Sequence, residues 1–505
     1  MSCRLIALLG LAAGLAATLA GCLAVGPDYR RPELDAPAAW TRQQDESRPA
    51  GALEEVAWWE AFGDPILDEL IARGVAGNLD IAQARARVLQ ARADVKTAKA
   101  ALFPSLDFSA SSTSSSNGPL DAGTGAVTTS TPSTTSGTSA TTTATSGDAS
   151  SASNNTVFAT GFDASWELDF FGGNRRSHEA AQASLEASVE DLRSTRLTLL
   201  GDVATYYIAL RASQEQLGIA QQSAQAQRQN AEVTRERFRL GLITQLDLAQ
   251  AEGQAASTAA DIPSLESAIK QSIHRLGILL GLPPEALAGM LAAPRSLPDL
   301  SGPLLATGLP SELLTRRPDV RKAERKLAAA SANIGVATAG LYPKFDLTAG
   351  LGLQGASPAK IAGFSTWYWS VLPGLSWPVF DAGSARAAVD KKKALYDEAL
   401  ASYQATFHTA LEDVENALAA YYAELERGKN LAASVRAYED AVALANERYV
   451  KGLTTFLTVL VNQAYLYSAQ TNLAKSRANL RTDIIALYKA LGGGWKAMET
   501  DNIPG

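Results

Sequence analysis

Chemistry on a side chain needs a nucleophile beside a base, a ligand cluster, or a thiol placed for modification, and this sequence offers only the last. The three histidines, His178, His274 and His408, are scattered. None has a cysteine or a carboxylate pair at metal-ligand spacing, so they read as solvated or packed helix positions. No nucleophile–base arrangement, phosphate-cradling glycine loop or paired carboxylate stands out, so no catalytic residue and no metal site is assigned. The thiol is different. Arg4 precedes an apolar run from Leu5 to Leu19, and Leu19-Ala20-Gly21-Cys22 follows. Such a run is too short for a membrane span and suits a leader whose removal would make Cys22 the first residue. The other cysteine, Cys3, lies within that leader, so no disulfide partner for Cys22 remains.

Small residues ahead of a cysteine resemble a bacterial lipoprotein cleavage box. Residues 1–21 would then be a lipoprotein signal peptide, and Cys22 would carry covalent N-acyl and diacylglycerol lipid, with no other cofactor expected. Leu23, where an aspartate would retain a lipoprotein at the inner membrane, resembles an outer-membrane address. An ordinary secretory leader with a coincidental cysteine is the alternative.

The elements behind this anchor are long. From Ser384 to Val450 there is no proline, and Gly428 is the only glycine. Tyr396, Leu400, Tyr403, Phe407, Leu411, Val414, Leu418, Tyr421 and Leu425 recur at a mean step of about 3.6, the period of a nearly straight α-helix. At about 1.5 Å per residue that helix reaches roughly 100 Å, too long to fold without equally long neighbours.

A neighbour lies in the same chain. Adding 211 to the residue number carries Gly172-x-x-Arg175 onto Gly383-x-x-Arg386, and Arg237-Phe238-x-x-Gly241-Leu242 onto Arg448-Tyr449-x-x-Gly452-Leu453. The same shift carries Leu280-Gly281 onto Leu491-Gly492. A shift of 239 carries Leu102-Phe103-Pro104-x-Leu106-Asp107 onto Leu341-Tyr342-Pro343-x-Phe345-Asp346. The chain is therefore a tandem duplication with an insertion of 239 − 211 = 28 residues in the first half. Residues 109–156, nearly all Ser, Thr, Gly, Ala and Asn, are expected to be a disordered loop that contains it.

Between the helices lie alternating rows. Phe158, Phe162, Ala164, Trp166, Leu168 and Phe170 form one, and Phe345, Leu347, Ala349, Leu351 and Leu353 a second. Trp367, Trp369, Val371, Leu375, Trp377 and Val379 form a third. Alternation over about 9–11 residues with aromatics near the ends predicts transmembrane β-barrel strands. Four strands cannot close a barrel, and lipid forbids open edges, so a dimer, trimer or tetramer must share one. The net charge of −7 and the absence of a basic cluster speak against a nucleic-acid partner.

With Gly26-Pro27-Asp28-Tyr29, Trp58-Trp59-x-x-Phe62-Gly63-Asp64-Pro65, Arg316-Arg317-Pro318-Asp319-Val320, both Arg-aromatic-x-x-Gly-Leu turns and Leu487-Tyr488-Lys489-Ala490-Leu491-Gly492-Gly493-Gly494-Trp495 in view, the chain resembles the outer-membrane factor (TolC-like) efflux ducts, specifically the lipid-anchored NodT-type branch. The resemblance implies a mainly α protomer with a membrane β part. Each repeat would run helix–strand–strand–long helix–helix. A homotrimer would form a twelve-stranded outer-membrane β-barrel continuous with a twelve-helix periplasmic α-barrel. The expected parts are a strap and equatorial segment (22–75), repeat 1 (76–281), a connector (282–318), repeat 2 (319–492) and a tail (493–505).

The implied function is a passive exit duct for drugs and toxic small molecules in multidrug resistance. A periplasmic membrane-fusion adapter would couple it to an inner-membrane resistance–nodulation–division pump. An exit duct of a type I protein or peptide exporter is the alternative with the same architecture, and a surface coiled-coil scaffold lipoprotein the alternative from another class. By resemblance, Arg237, Gly241, Leu242, Arg448, Gly452 and Leu453 contact the adapter at the periplasmic tip, and Leu246 and Leu457 line the constriction. Where the family often holds the tip with an aspartate and an arginine three residues on, this chain has Val461 and Ala464. The candidate acidic tip residue becomes Asp247, which reads equally as a helix N-terminal charge favoured by the macrodipole.

Overall fold

The computed structural model describes residues 24–41, 57–117, 153–299, 312–364 and 366–497. A 3₁₀ turn at Trp58–Phe62 leads to α1 (Pro65–Gly77), α2 (Leu79–Ala100), β1 (Ser105–Asn117), β2 (Ser153–Leu168), α3 (Gly173–Arg239) and α4 (Gln245–Leu279). Then come the short helices α5 (Ala288–Leu291) and α6 (Leu313–Arg316), α7 (Pro318–Ala339), β3 (Lys344–Gly355), the short α8 (Pro358–Ala362), β4 (Trp367–Ser376), α9 (Ser384–Val450) and α10 (Phe456–Ala490). The chain divides into two units, one around residues 98–175 and 338–385, the other formed by 26–97, 176–337 and the chain from 386 onward. Cys22 and the leader lie outside the described residues, as does the middle of the Ser/Thr-rich segment, 118–152.

The first unit is built on one antiparallel sheet of order β1-β2-β3-β4. Its register decides which side chains share a face, because opposed residues point the same way. Phe108 opposes Phe162, which opposes Leu351, which opposes Trp369. Leu106, Ala164, Ala349 and Val371 form the next such row. The members of the three apolar rows that lie within the strands, and the even positions of β1, thus share one face, with Phe108, Leu351, Trp367, Trp369 and Leu375 exposed. The opposite face carries Ser109, Asp163, Ser165, Asp346 and Thr348. The outer edges of β1 and β4 have no partner strand among the described residues.

The expected disordered loop over 109–156 is too long: β1 continues to Asn117 and β2 begins at Ser153. Serine and threonine cannot build a core, but a strand whose backbone pairs along its full length needs none. The ladder from Ser109↔Gly161 to Asn117↔Ser153 supplies those hydrogen bonds.

In the second unit the duplication is literal. α3 and α9 are each 67 residues, and α4 and α10 each 35. All four end alike. Gly241, Gly452, Gly281 and Gly492 take φ of 72°, 72°, 71° and 73°. At each, two N–H groups return to helix carbonyls, as in Leu242 N–H to Arg237 O (3.0 Å) and Leu453 N–H to Arg448 O (2.9 Å), closing Schellman caps. A Cβ at Gly241 or Gly452 would meet nothing within 4 Å, so only the backbone conformation selects glycine there. We expect Gly241→Ala and Gly452→Ala each to cost about 1–2 kcal/mol, the left-handed penalty, read as a fall in melting temperature without loss of helix content.

Apolar residues of these helices bury against the Trp58–Phe62 turn and α1. Trp58, Trp59, Phe62, Leu67 and Leu70 are 0–1% exposed, and the Trp58 ring stacks on Tyr488 at 5.3 Å. A second cluster gathers Trp40, Val320, Tyr403, Phe407 and Val414. The extended residues after Gly26 are held by polar contacts, Asp28 to Arg176 (2.7 Å) and the Tyr29 hydroxyl donating to Glu324 (2.5 Å). Arg317 is mostly buried and donates to Asp319 (2.7 Å), Asp413 (2.9 Å) and the Ala490 carbonyl (3.2 Å). It therefore ties the start of α7 to α9 and to the end of α10. Burial works against ionising Asp319, yet Arg317 and the Val320 N–H hold its carboxyl below the ordinary carboxylate range.

Candidate functional site

The two turns, α3–α4 and α9–α10, bring every tip residue singled out in the sequence to one end of the helical unit, where their side chains divide into a packed set and an exposed set. The packed set is a small cluster of Ala231, Ala251, Ala255, Ala445, Phe456, Val459 and Leu460. Alanine at four of these positions lets the helices approach closely, which fixes the turns without a large core. Over the cluster the Arg237 guanidinium sits 4.7 Å from the centre of the Tyr449 ring, and Tyr449 packs on Phe456 at 5.3 Å. This cation–π contact joins the first half to the second.

The exposed set is apolar. Leu242, Leu246 and Leu453 are 64–68% exposed, and Leu457 is 45% exposed. On α10 the residues Leu457, Val461 and Tyr465 follow at i, i+4 and i+8, so they share one open face. Ala464 beside them is half-buried. No charge stands at either position where the resemblance leads one to expect it.

Asp247 is engaged locally. Its carboxylate accepts from the Thr244 N–H (3.0 Å) and hydroxyl (2.7 Å), while the Thr244 Oγ accepts from the Asp247 N–H (3.3 Å). That is a reciprocal capping box at the start of α4, a stronger local tie than a charge merely placed near the helix end. The matching Thr455 makes no side-chain cap bond; in the second turn the Thr454 hydroxyl donates instead to the Thr458 hydroxyl (2.9 Å).

Arg448 does not repeat the role of Arg237: it is exposed, and its side chain has no hydrogen-bond, ion-pair or ring partner among the described residues. Reading both arginines alike as contact positions missed Tyr449 as the acceptor of the first. The signal was present in the Arg-aromatic dipeptide repeated at both turns. Three further ties between α3 or α4 and their neighbours also escaped it: Arg235 to Glu252 (2.6 Å), Asn230 to Gln463 (3.0 Å) and the Tyr467 hydroxyl to Asp261 (2.8 Å). Burial, then the bond to Asp261, pushes the Tyr467 hydroxyl up to about 12, so it stays a donor at any physiological pH.

Away from the turns, a cavity of about 980 Å³ is lined by Arg31, Arg92, Arg193, Arg321 and Arg325 together with Glu186, Glu190 and Glu324. Its charges are largely matched in place, Arg325 to Glu186 (2.9 Å), and Arg193 and Arg321 both to Glu190 (2.8 and 2.6 Å). Arg193 and Arg321 also flank the Trp495 ring at 4.8 and 5.8 Å. The arrangement braces the C-terminal motif. Among the described residues no group of three or more His, Cys, Asp or Glu is placed to hold a metal ion, and no helix is long and apolar enough to cross a membrane.

Comparison with known proteins bears on both units. The family model described as outer membrane efflux protein matches residues 70–282 and 309–493. The chain is 37% identical over 467 residues to the pyoverdine export outer membrane protein OpmQ of Pseudomonas putida, covering 91% of this chain and 92% of that protein. It is 32% identical over 479 residues to nodulation protein T of Rhizobium leguminosarum bv. trifolii, covering 94% and 95%. Among solved structures, the outer-membrane channel OprN superposes with a TM-score of 0.82 at 34% identity, covering 94% of this chain and 99% of that one.

Proposed function

Since this chain belongs to the outer membrane efflux protein family, and is thereby an efflux channel of the outer membrane, we propose that three copies close its open sheet into a twelve-stranded barrel and its long helices into a twelve-helix periplasmic tunnel. The observation that carries this reading is the sheet: one face rich in apolar and aromatic residues, one mainly polar face and, among the described residues, two unpaired edges. In lipid the apolar face is satisfied, but each unpaired edge N–H and C=O costs several kcal/mol, and only another copy's edge can meet them all. The polar face then lines a water-filled lumen. The helices supply the second half of the duct: α9 buries mainly the side that carries Tyr403, Phe407, Ala410, Val414 and Tyr421, and leaves the rest for a neighbour.

The duct is passive. Energy comes from an inner-membrane resistance–nodulation–division pump through a periplasmic adapter. The adapter docks at the exposed leucines of the two turns, Leu242 and Leu453, with Arg448 beside them. Leu246 and Leu457 line the constriction at the tip. Cargo is of the drug and toxic small-molecule class, and the pyoverdine export named for the relative OpmQ extends it to compounds of that kind. Deleting the chain should raise accumulation of an amphipathic dye in energised cells severalfold, and a plasmid copy should restore export. Unchanged accumulation, with partner pump and adapter expressed, would refute the assignment.

Cys22 carries the lipid in this proposal, with the anchor in the periplasmic leaflet and the helices on the same side. Cys22→Ser should abolish incorporation of labelled palmitate. A labelled Cys22→Ser protein would contradict the anchor.

A further inference from the structure

The cavity lined by α2, α3 and α7 carries more positive charge than the ion pairs across it use. Besides the five arginines already named, its wall holds Lys96, so six cations stand against the carboxylates of Glu186, Glu190 and Glu324. Those carboxylates engage three of the six. Glu190 takes Arg193 and Arg321, and Glu186 takes Arg325. Glu324 also takes Arg325 (2.6 Å) and accepts from the Tyr29 hydroxyl (2.5 Å). By count, six less three, the lining keeps an excess of three positive charges.

The excess falls on α2 and on the extended segment after Gly26. Arg92 and Lys96 stand one turn apart on α2, at i and i+4, where like charges work against the helix. Arg31 donates its Nε–H to the Tyr403 hydroxyl (3.4 Å), a neutral acceptor. Burial works against ionising Glu324, yet Arg325, the Tyr29 hydroxyl and the more distant Arg31 hold its carboxyl below the ordinary carboxylate range. The field inside the cavity is therefore positive. Part of its wall is aliphatic, from Val95, Leu185 and Val189. The volume of about 980 Å³ lies at the upper end of the range for small-molecule sites, roughly 300–1,000 Å³.

A cation-rich wall beside aliphatic side chains suits an anion joined to an apolar chain. A carboxylate carries one charge and would offset a third of the excess. A phosphate monoester carries about −1.5 to −2 near pH 7 and presents three acceptor oxygens to guanidinium and ammonium donors. We infer that this cavity binds an alkyl phosphate monoester, the chemistry of a lipid headgroup with its first methylenes, with the phosphate among Arg31, Arg92 and Lys96 and the chain on Val95, Leu185 and Val189. Bound there, it ties α2, α3, α7 and the segment after Gly26 together. All these residues belong to one unit of one chain, so the site does not depend on how many copies assemble.

The probe is hexyl phosphate, added below its micelle concentration to the full chain in a non-ionic detergent. Inorganic phosphate and hexanol serve as its two separated halves. Titration calorimetry should show saturable binding of one hexyl phosphate per chain, at least about tenfold tighter than inorganic phosphate because the alkyl chain is buried. Hexanol should show none, and saturating hexyl phosphate should raise the melting temperature. Arg92→Gln with Lys96→Gln preserves helix propensity and should weaken binding at least about tenfold, through loss of two charge-assisted contacts. Lys96 is exposed, so Lys96→Gln alone, weaker by about threefold, carries the comparison should the double variant fold poorly. Lys326→Gln removes a charge from an exposed position of α7 outside the cavity and should change affinity less than about twofold. Absence of saturable hexyl phosphate binding to the unmodified chain would overturn the site. Equal affinity for inorganic phosphate would overturn the apolar half and make a free anion the occupant. Equal weakening by the α2 and Lys326 variants would reduce the attraction to diffuse surface charge and overturn the site as well.

Discussion

Replacing Leu457 with glutamate should make the outer membrane leaky to antibiotics too large for ordinary porins. In the proposed duct, Leu457 from each copy faces the axis at the tip, where exposed leucines close the lumen against water. Three carboxylates there repel pairwise. At a spacing of about 8 Å in water each pair costs about 0.5 kcal/mol, and three sum to about 1.5 kcal/mol, roughly a tenfold shift toward the open tip. Lost apolar contact between the leucines adds to that. The inhibitory concentration of a large glycopeptide should fall about tenfold while the amount of assembled protein stays constant. Unchanged sensitivity at normal assembly levels would take Leu457 out of the constriction. Asp247→Asn should open the tip far less, because its carboxylate caps α4 within its own turn.

Arg317→Met should be strongly destabilising, although it lies away from the tip. Arg317 is mostly buried and holds two carboxylates and a helix-end carbonyl at once. Removing the cation takes the shared partner from Asp413 and Asp319 and leaves Asp319 the Val320 N–H. Breaking a fully buried pair costs about 3–5 kcal/mol, and because both carboxylates here keep some contact with water we expect about 2–3 kcal/mol. The pH dependence distinguishes this from lost packing. Folding lowers the Asp319 pKa, so its stabilising contribution is full above the ordinary carboxylate range and fades as pH falls through it toward the folded value. The gap in melting temperature between the original chain and Arg317→Met should therefore be widest near pH 7 and should narrow below about pH 4. A gap that stays constant between pH 7 and pH 3 would assign the loss to packing alone.

Both predictions draw on features of unequal visibility in the sequence. The long helices were legible because periodicity over 67 residues has few competing explanations, and α9 covers Ser384 to Val450 as the pattern indicates. The turn glycines were legible because a left-handed cap selects almost no other residue. The sheet was legible in its apolar rows and illegible in its Ser/Thr-rich extension, since alternation is a signal of facing, and 109–117 has no apolar residue past Ala110 to mark a face. At the tip, positions could be assigned but pairings could not. Whether Arg237 meets a partner protein or Tyr449 depends on which helices lie side by side, and no local pattern encodes that. The same holds for Arg317, whose partners lie 2, 96 and 173 residues away. Asp247 was ambiguous for a different reason: the threonine three residues before it spells a capping box, a local pattern weighed only as a helix-end charge.

The roles proposed for the tip and the sheet all require the four-stranded sheet to complete itself with other copies. Native mass spectrometry of the protein extracted from outer membranes in mild detergent tests this most directly. A species of three times the protomer mass that resists dissociation until the strands melt is the expected result. A stable single copy with its apolar face covered only by detergent would contradict it.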